Sequence, residues 1–149
     1  MNTSKCGYVA LVGRPNVGKS TLLNKLLGQK LSITSKKPQT TRHQILGIHT
    51  QAATQMLFVD TPGLHLAEGK RNKQLNHLLN QTAAQTIQDV DLAVLVLDRT
   101  RWHEEDQLVL NQLKKANKPV IAVINKIDKL ADKKDLLPFL EEVAAKHDF

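Results

Sequence analysis

The chain has 149 residues, of which 41% are hydrophobic and 23% charged, a composition typical of one globular domain with its own core. Its net charge of +7 is compatible with a nucleotide, a nucleic acid or an anionic membrane surface, and does not choose among them. The lone Cys6 excludes an internal disulfide, and the N-terminus lacks the pattern of a signal peptide. The longest apolar runs are far short of a membrane span, so we expect a cytoplasmic protein.

Strand-like apolar runs alternate along the chain with helix-like patterns, which predicts an α/β fold with a mainly parallel sheet. Strands are expected at 8–12, 45–50, 56–60, 93–98 and 120–125. Helices are expected at 19–27, 74–88, 104–116 and 133–145, and Pro138 should bend or delay the last of them. Loops are expected at 29–42 and 61–73.

The edges of the predicted sheet are two different strands. We expect the strand at 45–50 to be antiparallel at one edge, and the strand at 120–125 to form the opposite edge. The sequence stops at Phe149, directly after a helix, where a doubly wound sheet ordinarily continues into another strand. The prediction is a three-layer α/β/α domain truncated before its last strand. We expect a monomer, although an uncovered edge favours pairing between molecules.

A phosphate-binding motif joins the first predicted strand to the first predicted helix. Residues 13–20, GRPNVGKS, match the pattern G-x-x-x-x-G-K-[ST] in the required context. The glycines let backbone N–H groups surround phosphate oxygens, and the helix N-terminus attracts the same anion. Lys19 would bind the outer phosphates, and the Ser20 hydroxyl would bind Mg²⁺. The predicted phosphate-binding residues are Gly13, Arg14, Pro15, Asn16, Val17, Gly18, Lys19, Ser20 and Thr21.

A second motif, D-x-x-G, follows the strand at 56–60. The Asp60 carboxylate at a strand end can hold Mg²⁺, directly or through water, and Gly63 can offer its N–H to a terminal phosphate. Such a turn is common in other folds, and its position after the phosphate loop gives it weight. It adds Asp60, Thr61, Pro62, Gly63 and Leu64 to the predicted phosphate site.

A third motif, NKID, follows the strand at 120–125 and predicts guanine binding. The Asp128 carboxylate can accept hydrogen bonds from the ring N–H and the amino group of guanine, neither of which adenine offers on that edge. Asn125 would link the base loop to the phosphate loop, and the stem of Lys126 would cover the base. The predicted guanine-binding residues are Asn125, Lys126, Ile127 and Asp128.

A threonine in the loop between the first two motifs could reach the magnesium when the terminal phosphate is present. Either Thr40 or Thr41 is suitably placed, with Thr41 favoured; the alternative is a solvated loop threonine. This switch segment consists of Gln39, Thr40, Thr41, Arg42 and His43.

The segments 13–28, 32–48, 58–65 and 123–128 together resemble the Era family of bacterial GTPases. The resemblance covers essentially the whole chain and implies a Ras-like P-loop GTPase that acts in 16S rRNA processing and 30S subunit assembly. It implies that 1–149 is a C-terminally truncated GTPase domain without the KH domain that binds 16S rRNA. Peripheral association with the inner membrane is also an attribute of that family.

The resemblance also implies roles for individual residues. It assigns Thr41 to Mg²⁺, beside Ser20 and Asp60, and implies that Asn16 helps bind K⁺. Leu64 stands where many small GTPases carry the glutamine that orients the attacking water. The residues expected to act in catalysis are Lys19, Thr41 and Gly63.

We therefore predict a switch that hydrolyses GTP slowly. The alternative is a nucleic-acid or ribosome interaction module with a vestigial nucleotide site. The intact Lys19, Ser20, Asp60 and Asp128 argue against that alternative.

Overall fold

The structure is a computed structural model that describes residues 3–28, 45–61, 81 and 83–149. Its strands are β1 (Lys5–Val12), β2 (Ile45–Gln51), β3 (Thr54–Val59), β4 (Leu92–Asp98) and β5 (Val120–Asn125). Its helices are α1 (Lys19–Leu27), α2 (83–89), α3 (Glu104–Ala116) and α4 (Leu136–Ala144). None of the described helices is long and apolar enough to cross a membrane.

The strands form one sheet in the order β2-β3-β1-β4-β5. Strand β1 is parallel to both of its neighbours, β4 is parallel to β5, and β2 alone is antiparallel, paired with β3. The predicted mixed sheet is confirmed, and so is the antiparallel strand at one edge. Within the described residues, β5 forms the opposite edge. The carboxyl ends of β1, β3, β4 and β5 therefore meet along one side of the sheet, where open α/β folds bind ligands.

Side chains from the two faces of the sheet belong to two separate apolar clusters, which gives three layers. On β1, Ala10 and Val12 belong to the larger cluster, together with residues of α2, α3 and α4. Val9 and Leu11, which alternate with them, belong to the smaller cluster around Leu23 of α1. A strand buried on both faces is expected to be apolar throughout, as the end of β1 is.

Several element ends follow from local chemistry. Helix α1 ends at Gly28, whose φ of 66° suits a residue without a Cβ. Helix α4 begins at Leu136, after a 3-10 turn at Lys133–Asp135, so the predicted start at 133 is three residues early. Pro138 lies in its first turn, where a missing N–H costs no intrahelical hydrogen bond.

The exposed edge at β5 borders an apolar groove of about 720 Å³ between this strand and the end of α4. Ile121 of β5, Leu140 of α4 and Phe149 line it. Ile121 is 49% exposed, whereas Val120 is buried and the remaining residues of β5 are partly buried.

We predict that Ile121→Lys reduces concentration-dependent association of the chain, because a charged edge residue opposes strand pairing between molecules. The free energy of unfolding should change by no more than about 0.5 kcal/mol, since the position is half exposed. The matched control is Leu137→Lys, at a position on α4 that is 66% exposed. Analytical ultracentrifugation across a concentration series would measure association. Equal association of the two variants would show that the edge is not the contact surface.

Candidate nucleotide-binding site

The loop between β1 and α1 has a backbone that only glycine permits at two positions. Gly13 has a φ of 148°, and a Cβ there would lie 2.6 Å from the carbonyl oxygen of Val96 on β4. Gly18 has a φ of 97°, and a Cβ there would collide with the Asn125 amide. The glycine spacing of the motif thus lets the loop lie close against two strand ends.

The N-terminus of α1 is open toward an anion. Gly18 caps the helix without any side-chain hydrogen bond, and the first turn contains no acidic residue. The first backbone N–H groups of a helix have no partner inside it, and the helix dipole places positive potential there. The geometry is that of an anion-binding site.

Lys19 lies within the loop and is held by it. Its Nζ donates hydrogen bonds of 2.8 Å to the carbonyl oxygens of Gly13 and Arg14. Burial, and then the positive charge of Arg14, lowers the pKa of Lys19 from 10.5 to about 8. The described residues form no ion pair with this ammonium, and a phosphate group would supply a counter-charge.

The base-binding loop after β5 is joined to the phosphate loop by two side chains. The Asn125 amide donates a 2.9 Å hydrogen bond to the carbonyl oxygen of Val17. The Lys126 ammonium donates to the carbonyl oxygen of Asn16. Lys126 itself has a φ of 59°, which turns the chain back over the phosphate loop. The link from Asn125 to the phosphate loop is confirmed.

Asp128 and Ile127 follow in a 3-10 turn at Ile127–Lys129, and both are exposed at the surface. Their assignment to guanine stays a prediction.

Ser20 and Asp60 offer oxygen atoms of the kind that Mg²⁺ prefers. Ser20 lies in the first turn of α1, Asp60 follows β3, and both line one cavity with Lys19. The donor chemistry therefore fits the predicted metal. The buried hydroxyl of Thr61 donates a 3.3 Å hydrogen bond to the carbonyl oxygen of Leu11. This contact fixes the start of the D-x-x-G segment to β1.

Several predicted residues lie outside the described part of the chain: Gln39, Thr40, Thr41, Arg42, His43, Pro62, Gly63 and Leu64. Their assignments to the switch, the metal, the phosphates and catalysis remain predictions.

The structure adds residues that the motifs do not contain. Asp98 at the end of β4 and three consecutive residues, His103, Glu104 and Glu105, line the same cavity. Arg14 also lines this cavity, and its Nε donates a 3.3 Å hydrogen bond to the fully buried carboxylate of Asp106. A sequence signal for Asp98 exists, because it is a carboxylate at the carboxyl end of a central strand, as Asp60 is.

Three features occur together: a glycine-rich loop at an anion site, the Lys19 ammonium within that loop, and an Asn-Lys-x-Asp loop hydrogen-bonded to it. This combination defines a P-loop domain of the GTPase class. The chain belongs to the family described as 50S ribosome-binding GTPase, whose sequence model matches residues 8–126.

The chain is 56% identical over 144 residues to the GTPase Era of Pasteurella multocida, covering 97% of this chain and 46% of that protein. It thus spans about half the length of the curated relatives that it matches. A crystal structure of Era with MgGDPNP and nucleotides 1506–1542 of 16S ribosomal RNA matches with a TM-score of 0.76 and 45% identity, over 97% of this chain and 48% of that one. A crystal structure of Aquifex aeolicus Era bound to GDP.AlF4- matches with a TM-score of 0.74 and 45% identity. The match covers 96% of this chain and 48% of that one.

We predict that binding of GDP at pH 8 is accompanied by proton uptake. At its pKa of about 8, Lys19 is half neutral, and a phosphate beside it should raise that pKa. Calorimetry in buffers of different ionisation enthalpy should give an uptake of about half a proton. Affinity should fall as the pH rises above 8, because binding then requires more protons to be taken up.

The uptake should persist in Lys25→Met, an exposed position on the same helix, and disappear in Lys19→Met. A wild-type protein that takes up no proton at pH 8 would contradict this account of Lys19.

Proposed function

We propose that the chain is the GTP-binding and GTP-hydrolysing domain of a nucleotide-dependent switch. The observation that carries this proposal is the hydrogen bond from Asn125 to Val17, since it brings a guanine-type loop against a phosphate-type loop. Each motif alone is ambiguous, because a phosphate loop also serves ATP and an Asn-Asp turn occurs in many folds.

The proposed reaction is in-line attack of water on the γ-phosphate of GTP. Charge spreads over the phosphate oxygens in the transition state, and fixed donors stabilise it without reorganisation. Lys19 and the N–H groups at the start of α1 would provide these donors. Ser20 and Asp60, together with the predicted Thr41, would hold Mg²⁺, which would supply positive charge to the phosphates. We assign no side chain as general base.

We propose further that the chain is the GTPase domain of a longer protein that acts on the small ribosomal subunit, in 16S rRNA processing and assembly. Support comes from the similarity to Era, one structure of which contains 16S ribosomal RNA. The RNA would be bound by a KH domain outside this chain, and a further strand would cover the edge at β5. We propose a cytoplasmic location; peripheral contact with the inner membrane stays a prediction.

The rival hypothesis, an interaction module with a vestigial nucleotide site, predicts that GTP is not turned over. What argues against it is that Asn125 and Lys126 of the base loop both donate to carbonyl oxygens of the phosphate loop, so that the two predicted binding loops are joined.

We predict slow, Mg²⁺-dependent GTP hydrolysis that Lys19→Ala abolishes. The same change should weaken GTP binding about tenfold or more, because a phosphate charge loses its partner in a partly dehydrated site. Phosphate release under saturating GTP measures turnover. Lys25→Ala, an exposed position on the same helix, should retain the wild-type rate. Undiminished turnover in Lys19→Ala would remove this lysine from the mechanism.

We predict that K⁺ accelerates hydrolysis relative to Na⁺, if Asn16 helps hold a cation where charge develops between the β- and γ-phosphates. The acceleration should stay below the roughly 10³- to 10⁵-fold that an arginine finger provides, since a monovalent ion is held loosely. Asn16→Ala should reduce the rate in K⁺ to the rate in Na⁺. Equal wild-type rates in the two salts at saturating GTP would exclude the cation.

A further inference from the structure

Asp98 ends β4 at the point where the base-binding loop begins. In the parallel register of β4 and β5, Asp98 is the partner of Asn125. The next residue, Arg99, has a φ of 53°, and its N–H donates 2.9 Å to the carbonyl oxygen of Asn125. The end of β4 is therefore fixed to the first residue of the Asn-Lys-x-Asp loop.

The Asp98 carboxylate lies between cations of two different loops. Its Oδ2 is 3.7 Å from the Lys126 ammonium of the base loop and 3.9 Å from the Arg14 guanidinium of the phosphate loop. Its Oδ1 accepts a 3.0 Å hydrogen bond from Nε of Arg99. Burial alone would raise the pKa of Asp98, but the hydrogen bond from Arg99 and the charges of Lys126, Arg99 and Arg14 lower it. The Asp98 carboxylate is thus ionised, and Lys126, Arg14 and Arg99 share it as a partner.

The two loops depend on Asp98 to different degrees. Arg14 has a second anionic partner, because its Nε donates a 3.3 Å hydrogen bond to Oδ2 of Asp106. Asp106 is fully buried, and the same oxygen accepts a 2.9 Å hydrogen bond from the backbone N–H of His103. For Lys126, the other contact that the structure gives is the neutral carbonyl of Asn16. The position of the Lys126 ammonium should therefore respond most to loss of the Asp98 charge.

We propose that Asp98 is a positioning residue for the guanine nucleotide, which acts through Lys126. By holding the Lys126 ammonium over the phosphate loop, it orders the aliphatic stem of that lysine as a cover for the base before the nucleotide arrives. Such preorganisation contributes equally to binding of substrate and of the transition state. Loss of the carboxylate should therefore raise KM and leave kcat nearly unchanged. This inference rests on the proposed GTP-binding function.

The experiment is a double-mutant cycle for GDP binding with Asp98→Asn, Lys126→Met and the double variant. Asp98→Asn should weaken GDP binding roughly 3- to 30-fold in the wild-type background, in the range of coupled charged neighbours. In the Lys126→Met background, the same change should weaken binding by less than about twofold. Asp98→Glu should restore part of the affinity. The control Asp148→Asn removes the same charge at an exposed position and should have no effect.

The outcomes separate this inference from the function on which it rests. If the wild-type chain binds no GDP, the proposed function and the inference both fail. If it binds GDP and Asp98→Asn weakens binding equally in both backgrounds, or lowers kcat rather than raising KM, Asp98 only supports the local fold and the inference alone fails. If Asp98→Asn does not fold, Asp98→Glu replaces it in the cycle: a loss of affinity that needs Lys126 supports the inference, and an equal loss in both backgrounds overturns it.

Discussion

One hydrogen bond, from the Asn125 amide to the carbonyl oxygen of Val17, connects residues that lie 108 positions apart in the chain. It is possible because β1 and β5 are parallel strands whose carboxyl ends lie on the same side of one sheet. It also requires Gly18, since a side chain at that position would occupy the space of the amide. Through this contact, a loop that would recognise a base and a loop that binds phosphates have a fixed mutual position.

The charges around the site follow from the same arrangement. Three cations, Lys19, Arg14 and Lys126, lie at the strand ends. The buried carboxylate of Asp98 pairs with Arg14 and Lys126, and the buried carboxylate of Asp106 also pairs with Arg14. Lys19 instead donates to neutral carbonyl oxygens, and burial, followed by the positive charge of Arg14, lowers its pKa. Among the described residues, the structure gives Lys19 no ion pair, and this lysine belongs to the predicted phosphate-binding motif. In such a preorganised site, the negative charge beside Lys19 would come from the bound ligand and not from a side chain of the described residues.

The parts of the fold and site that sequence could predict are those whose chemistry is local. Helix α1 begins and ends as predicted because Gly18 and Gly28 bound it, and Asn125 joins the loops because its motif directly follows a strand. Asp106 could not be predicted as a buried partner of Arg14. Asp106 is one of three acidic residues in the first turn of α3, with Glu104 and Glu105. Such a pattern normally indicates a solvated helix N-terminus. In the structure the phosphate loop approaches that turn, and Arg14 donates to the buried carboxylate.

The most direct test compares Asn125→Ala with Asp128→Asn, using GDP and pyrophosphate as ligands. If Asn125 holds the phosphate loop in position, Asn125→Ala should weaken the binding of both ligands, since pyrophosphate needs the loop but no base. Asp128→Asn should weaken GDP alone, because its carboxylate would contact only guanine. Calorimetry or NMR titration of the two variants and the wild type would give these affinities. Unchanged pyrophosphate binding in Asn125→Ala would contradict the claim that the two loops form one site.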